Sequence, residues 1–282
     1  MTRRLLLRIF TSTAALVAAG GRTVSASSAQ EIGQDSTPET RGEHLRLETE
    51  HGALHFWIPE NYDPLTAGMV IYIHGYYTTV DQTWENDHLA RQFEESGRNA
   101  LFVAIDAPMS NFQDVSWKSF DELLRTVQTQ TPFPLPRGPL VVIGHSGAFR
   151  TILLWLRDPR VQYVILLDGL YTGLSEYRDW LRPHRYAKPH RMVMVAHDTW
   201  RQSNQLARHT YGAARRRGIP ARASGFTPRE AHARLLYLFS QYNHMEMVSS
   251  GKVIPVLLQI SPLRAVPVKS VTKPAAPDVI SR

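Results

Sequence analysis

The chain has no cysteine. That removes disulfides, thiolate metal sites, a cysteine nucleophile and lipid anchoring on an N-terminal cysteine. It is compatible with an oxidising compartment without requiring one. Acidic residues are the minority: 25 Asp and Glu stand against 32 Lys and Arg, a formal net charge of +7. The positive charge is scattered, with one dense run at Arg215-Arg216-Arg217. Such a run near a helix end reads as a solvated face favoured by the helix dipole. No nucleic-acid recognition motif or aromatic-interleaved basic patch accompanies it, so no nucleic-acid partner is expected. Weak association with an anionic envelope surface fits the charge. No histidine pair at i, i+4 has a nearby acid, so no metal is expected, and no cofactor is expected either. There is no internal repeat.

What is present suffices for one large α/β domain: 282 residues with 43% apolar content. Residues 1–29 read as an export signal. Arg3, Arg4 and Arg8 make a positive start, Ile9 to Ala19 is apolar but too short to span a bilayer, and small residues follow. The start also fits a twin-arginine signal, and both routes are open. Residues 30–42 read as a flexible leader, 43–260 as the folded domain and 261–282 as a Pro-rich disordered tail.

Within 43–260, strands alternate with helices. Alternating apolar positions around His51-Gly52 predict a hairpin. Short apolar runs predict strands at 68–73, 100–105, 140–143, 161–167, 191–196 and 234–240. Helical spacing predicts helices at 85–96, 117–129, 175–181, 203–217 and 248–260. This is the βαβ pattern of a mostly parallel sheet flanked by helices. Such a sheet presents its reactive groups at the C-terminal ends of its strands. His74-Gly75, Asp106, Ser146, Asp168 and Asp198 fall at those ends, and His244 follows the last strand.

The chain is organised around Gly144-His145-Ser146-Gly147-Ala148. A buried strand runs into it and a helix runs out, with Ile152, Leu153 and Leu156 on one face. Strand, G-x-S-x-G-like turn and helix together are a nucleophile elbow. The small neighbours leave room for a strained turn that pushes the serine forward. Ala148 stands where the pattern has its last glycine. The helix N-terminus aims free N–H groups at the same place, and Gly147 supplies an oxyanion donor.

With these pieces the chain, over roughly 43–260, resembles the α/β-hydrolase superfamily. The resemblance implies an α/β-hydrolase fold and a Ser-His-Asp triad in that chain order. Ser146 would be the nucleophile and His244 the general base. Two carboxylates compete to orient the base. Asp198 follows the strand where the family most often places its acid and is favoured on position. Asp168 follows the preceding strand, a variant position, and sits in the sharper strand-to-turn signal Leu166-Leu167-Asp168-Gly169. Tyr76, after His74-Gly75, would supply the second oxyanion N–H. His74 is expected to order the loop before the oxyanion site, and His145 to pack beside the serine.

Between Asp168 and Arg191 there is room for little more than a short helix, so little or no lid is expected. Tyr76, Tyr77, Trp84, Tyr171, Trp200 and Tyr242 fall in or near strand-end loops and could line an aromatic pocket. Tyr77 and Arg150 are candidate substrate contacts, although Arg150 also reads as a solvated helix residue. The leading expectation is an exported serine hydrolase, periplasmic or secreted, cleaving an ester more readily than an amide in a small-molecule or peptide/acyl substrate. The alternatives are a non-catalytic envelope binding protein of the same fold and a cell-wall peptidase or amidase.

Overall fold

The computed structural model describes residues 32–34, 40–182 and 189–267. The export signal expected over 1–29 and the tail from 268 onward lie outside these described residues. Among the described residues, no helix is long and apolar enough to cross a membrane.

In chain order the elements are β1 (Ile32–Gln34), β2 (Gly42–Thr49), β3 (Gly52–Pro59), β4 (Gly68–Ile73), α1 (Val80–Asn86), α2 (Leu89–Ser96) and β5 (Ala100–Ile105). Then follow α3 (Phe120–Gln130), β6 (Leu140–His145), α4 (Phe149–Trp155), β7 (Tyr163–Leu167), α5 (Leu174–Trp180) and β8 (Arg191–Ala196). The chain continues with α6 (Trp200–His209), β9 (Ala213–Arg217), α7 (Pro228–Ala231), β10 (Leu235–Phe239), α8 (Glu246–Ser249) and α9 (Val253–Gln259). The strands form one ten-stranded sheet in the order β1-β2-β3-β5-β4-β6-β7-β8-β10-β9. The pairs β1/β2, β2/β3 and β3/β5 are antiparallel, and every pairing from β5 to β9 is parallel.

The central strands read as unbroken apolar runs because both faces of the sheet are covered. In β4, Met69, Ile71 and Ile73 enter one core with Trp117, Phe120, Ile152, Trp155 and Tyr177. The alternate residues Val70 and Tyr72 enter the other, with Trp84, Leu89, Phe93, Val253 and Leu257. Helix starts are fixed locally. Thr79 caps α1 by accepting the Gln82 N–H at 3.2 Å, while Gln82 Oε1 takes the Thr79 N–H at 3.0 Å.

Several expected boundaries differ. Residues 85–96 are not one helix: Asp87 and His88 break it, His88 standing at φ 50°. Likewise 248–260 divides into α8 and α9, with Gly251 at φ 71° between them. The helix expected over 203–217 stops at His209. Gly212, at φ 77°, turns the chain back, and Ala213–Arg217 becomes an edge strand beside β10. The arginine run therefore lies on a sheet edge, where charge discourages pairing with another chain, and not at a helix end. The stretch expected as leader contains β1, paired with β2. The stretch expected as tail contributes the buried Leu263 and a bridge from Ala265 to Arg98.

Parallel register brings the ends of β6, β7, β8 and β10 to one edge. His145 pairs with Leu167, Leu167 with Val195, and Ala196 with Phe239. The chain after each strand therefore emerges at the same place.

Candidate active site

Ser146 sits in the turn between β6 and α4 with φ 50°. A left-handed backbone at a residue with a side chain is strained, and it persists only where the surroundings impose it. Here a buried strand enters and a packed helix leaves, with Gly144 to Ala148 closely surrounded. Two glycines show how tight the approach is. A Cβ on Gly147 would overlap the Tyr76 ring, and one on Gly75 would lie 3.0 Å from both Ser146 Cβ and His145 Nδ1. The loop after β4 thus lies directly against the elbow.

Asp168 follows β7, at φ 44°, with no exposed surface. Its carboxylate is held by the turn after β8. Oδ1 accepts the N–H groups of His197 and Thr199, both at 2.9 Å, and the Thr199 hydroxyl at 2.8 Å. Oδ2 accepts the Asp198 N–H at 3.1 Å and His244 Nδ1–H at 2.8 Å. Burial alone pushes this carboxyl up. The His244 bond, the Thr199 and His197 N–H groups and the Thr199 hydroxyl outweigh burial and hold it well below the usual carboxylate range. The group is an anion under any ordinary condition.

The partner of His244 is therefore Asp168, and the positional preference for Asp198 is corrected. Asp198 gives its backbone N–H to Asp168. Its own carboxylate is exposed and takes the His197 Nδ1–H at 2.7 Å. Because Asp168 accepts from Nδ1, a neutral His244 ring carries its proton there and leaves Nε2 as a base.

His145 adds a second support. It is almost fully buried, and burial above all, then the neighbouring His244, lowers it to about 4. The neutral ring donates from Nε2 to the His244 carbonyl at 3.0 Å, and the two rings lie 4.6 Å apart. The elbow thereby grips the backbone of the loop that carries His244. His74 orders the opposite loop: Nδ1–H donates to the Gly75 carbonyl at 2.6 Å, and Nε2 lies 2.9 Å from Asp106 Oδ1 and 2.8 Å from the Ala107 nitrogen. Asp106, at the end of β5, takes the Val80 N–H at 3.1 Å and does not line the pocket.

Ser146, His145 and His244 open into a pocket of about 590 Å³. Of the six expected aromatics, Tyr76, Tyr77 and Tyr171 line it, and the Tyr171 hydroxyl interacts with the Ser146 side chain. Trp84 does not line it and instead stacks on His44 and His55; Trp200 and Tyr242 are also absent from its walls. Arg150 does not line the pocket. Its guanidinium donates to the Tyr76 hydroxyl at 3.4 Å and the Ser110 carbonyl at 3.1 Å, bracing the wall from behind. The pocket also contains residues that no motif marked: Tyr72, Asp87, Asn111, Phe149 and Met245 among them.

Asp168, Asp198 and His244 each present one potential ligand atom, all within 4.8 Å of one another. Both Asp168 oxygens are already engaged by N–H and O–H donors. A cation would have to displace those bonds, so the donor set does not suit a metal.

Sheet order, the strained serine after a central strand and the late histidine on an acid define the α/β-hydrolase fold. Comparison with solved structures agrees. The S-formylglutathione hydrolase from Agrobacterium tumefaciens is similar with a TM-score of 0.52 at 12% identity, over 79% of this chain and 96% of that one. The feruloyl esterase module from Clostridium thermocellum gives 0.52 at 12%, over 82% and 93%. The fluorophosphonate-binding serine hydrolase F of Staphylococcus aureus gives 0.52 at 11%, over 78% and 99%. At these identities the likeness is one of fold. No protein-family model matches the sequence, and no curated protein matches it.

Proposed function

We propose that this protein is a serine hydrolase that cleaves carboxylic esters. Ser146 Oγ attacks the ester carbonyl while His244 Nε2 takes its proton. Asp168 holds the imidazole in the required tautomer and stabilises the imidazolium. The Gly147 and Tyr76 backbone N–H groups receive the developing oxyanion; one such donor contributes about 2.7–4 kcal/mol of transition-state stabilisation. The alcohol leaves with the proton from His244, and a water deprotonated by the same residue releases the acid.

The observation that carries this reading is His244, held by the saturated Asp168, opening into one pocket with a serine at positive φ. A protein that only bound a ligand would have no use for a strained serine beside an oriented imidazole. The three similar structures are named as a formylglutathione hydrolase, a feruloyl esterase and a fluorophosphonate-binding hydrolase, which favours esters over peptides.

A fluorophosphonate probe tests the reading. One adduct on Ser146, absent in His244→Ala, is expected from intact mass and peptide mapping. A folded protein that takes no adduct would return the weight to a binding role. Export of the protein is a further proposal, resting on residues 1–29. Lys at positions 3 and 4 should block export if the route is twin-arginine and leave it normal if it is not.

A further inference from the structure

The pocket wall is chemically lopsided. In a chain of net charge +7, the described residues of this wall include no lysine or arginine, and the one carboxyl among them is Asp87. Asp87 is 8% exposed. Among the described residues, no N–H or O–H donates to that carboxyl. Its backbone, by contrast, is pinned. Its N–H donates to the Thr83 carbonyl at 3.1 Å, and its carbonyl accepts Gln92 Nε2 at 2.7 Å, a nitrogen that also reaches the Val248 carbonyl at 2.6 Å. The side chain is thus held in place with its carboxyl left to the pocket. Burial pushes the carboxyl up to about 6, only partly offset by the adjacent His88.

A second polar group on this wall also lacks a protein partner. Tyr72 comes from β4, is completely buried, lines the same pocket, and its hydroxyl has no partner. Two neighbouring polar side chains are engaged elsewhere. Thr83 Oγ1 bonds the Thr79 carbonyl at 2.9 Å, and Gln82 Oε1 takes the Thr79 N–H at 3.0 Å. Buried polar groups in folded proteins are nearly always paired, because an unpaired one costs a desolvation penalty. The Tyr72 hydroxyl is such a group, and beside it on the wall the Asp87 carboxyl, open to the pocket and bonded by no described protein donor, is free to take donors brought by a ligand.

We propose that Asp87 and Tyr72 form a subsite for an ammonium group, so that the preferred substrates are esters carrying a primary amine. This deepens the hydrolase reading and rests on it for the ester bond. A primary ammonium brings three N–H donors and one positive charge. The Asp87 carboxylate accepts one or two of the donors in a charge-assisted bond, the strongest type available here, and the Tyr72 oxygen accepts another. An anionic substrate end would meet a carboxylate with no compensating cation on the wall. A methyl end would leave Asp87 and Tyr72 unpaired.

The test uses para-nitrophenyl esters of ω-amino acids of increasing chain length. Each is paired with the ester that has a methyl in place of the ammonium. At the length that reaches Asp87, wild type should prefer the ammonium ester. That kcat/KM ratio should fall about tenfold or more in Asp87→Asn, as loss of a hydrogen bond to a charge predicts, and by a smaller factor in Tyr72→Phe. A ratio that is the same in wild type and both variants at every length overturns the subsite while leaving the hydrolase intact. Calorimetry with hexylammonium on Ser146→Ala protein reads the subsite without turnover. Binding that is weakened by adding Asp87→Asn supports it, and equal or absent binding in the two overturns it. Fluorophosphonate labelling of Ser146 judges the hydrolase reading separately.

Discussion

Two buried aspartates belong to this site, and they are solved in opposite ways. Asp168 has no exposed surface, and Asp87 has almost none. Asp168 is surrounded by the N–H groups of a turn, a threonine hydroxyl and an imidazole, and is held far below its ordinary range. Asp87 faces a pocket with no donor among the described residues bonded to its carboxyl and is pushed up to about 6. Burial acts on both with the same sign. What differs is whether the fold supplies hydrogen bonds to the charged form. A saturated carboxylate orients a neighbour permanently. A bare one keeps its bonding capacity for something that arrives.

The largest test of this contrast concerns activity. Asp168→Asn should lower kcat/KM roughly 10⁴-fold, because the amide no longer enforces the Nδ1–H tautomer of His244. Asp198→Asn should change it by less than about tenfold, since only the Asp198 backbone touches Asp168. Equal losses in the two would break the assignment of the acid.

Stability should separate the pair next. Asp168→Ala strips the acceptor from several buried donors and should destabilise by about 3 kcal/mol or more in urea unfolding at neutral pH. Asp87→Asn removes an uncompensated buried charge and should stabilise by about 1 kcal/mol. Loss of stability in both would show that Asp87 has a structural partner.

The smallest effect is a pH slope. His145 and His55 are both lowered to about 4, in each case chiefly by burial. Their neutral forms contribute stability that is present above the unfolded value near 6.5 and is lost as pH falls through about 4. Asp168, depressed, adds a loss below its ordinary value of 3.8. Asp87 is raised from 3.8 to about 6, so its contribution is fully present below 3.8 and is lost as pH rises through 6. Between pH 6.5 and 4 the histidines act against Asp87. Asp87→Asn should therefore steepen the loss of stability on acidification, by about 1 kcal/mol between neutral and mildly acidic pH. Urea midpoints at the two pH values measure it. An unchanged slope would mean that Asp87 titrates normally.

Much of this site follows from local rules, and the exceptions are instructive. Gly144 to Ala148 between a buried strand and an amphipathic helix identifies the elbow, because both flanking elements have periodicities of their own. His244 stands out by following the last apolar strand. Asp87 carries no such mark. It lies in the break between α1 and α2, where helical spacing runs on as if uninterrupted and only the left-handed His88 shows the stop. Tyr72 reads as one more core residue of β4, and its idle hydroxyl is visible only once its surroundings are known.

The sequence by itself determined the parallel sheet, the elbow that carries Ser146, the late His244 and the loop that approaches them, because each depends on runs of neighbouring residues. Tertiary structure alone decided three matters. It chose Asp168 over Asp198: β7 and β8 are adjacent and in register, so both acids reach the same edge, and the choice lies in which one turns its side chain inward to a nest of N–H groups. It made Arg215-Arg216-Arg217 an edge strand, because β10 offered hydrogen bonds that a helix past Gly212 could not match. It left Asp87 and Tyr72 unpaired on one wall, since pairing is a property of what surrounds a group in space and not of its neighbours along the chain.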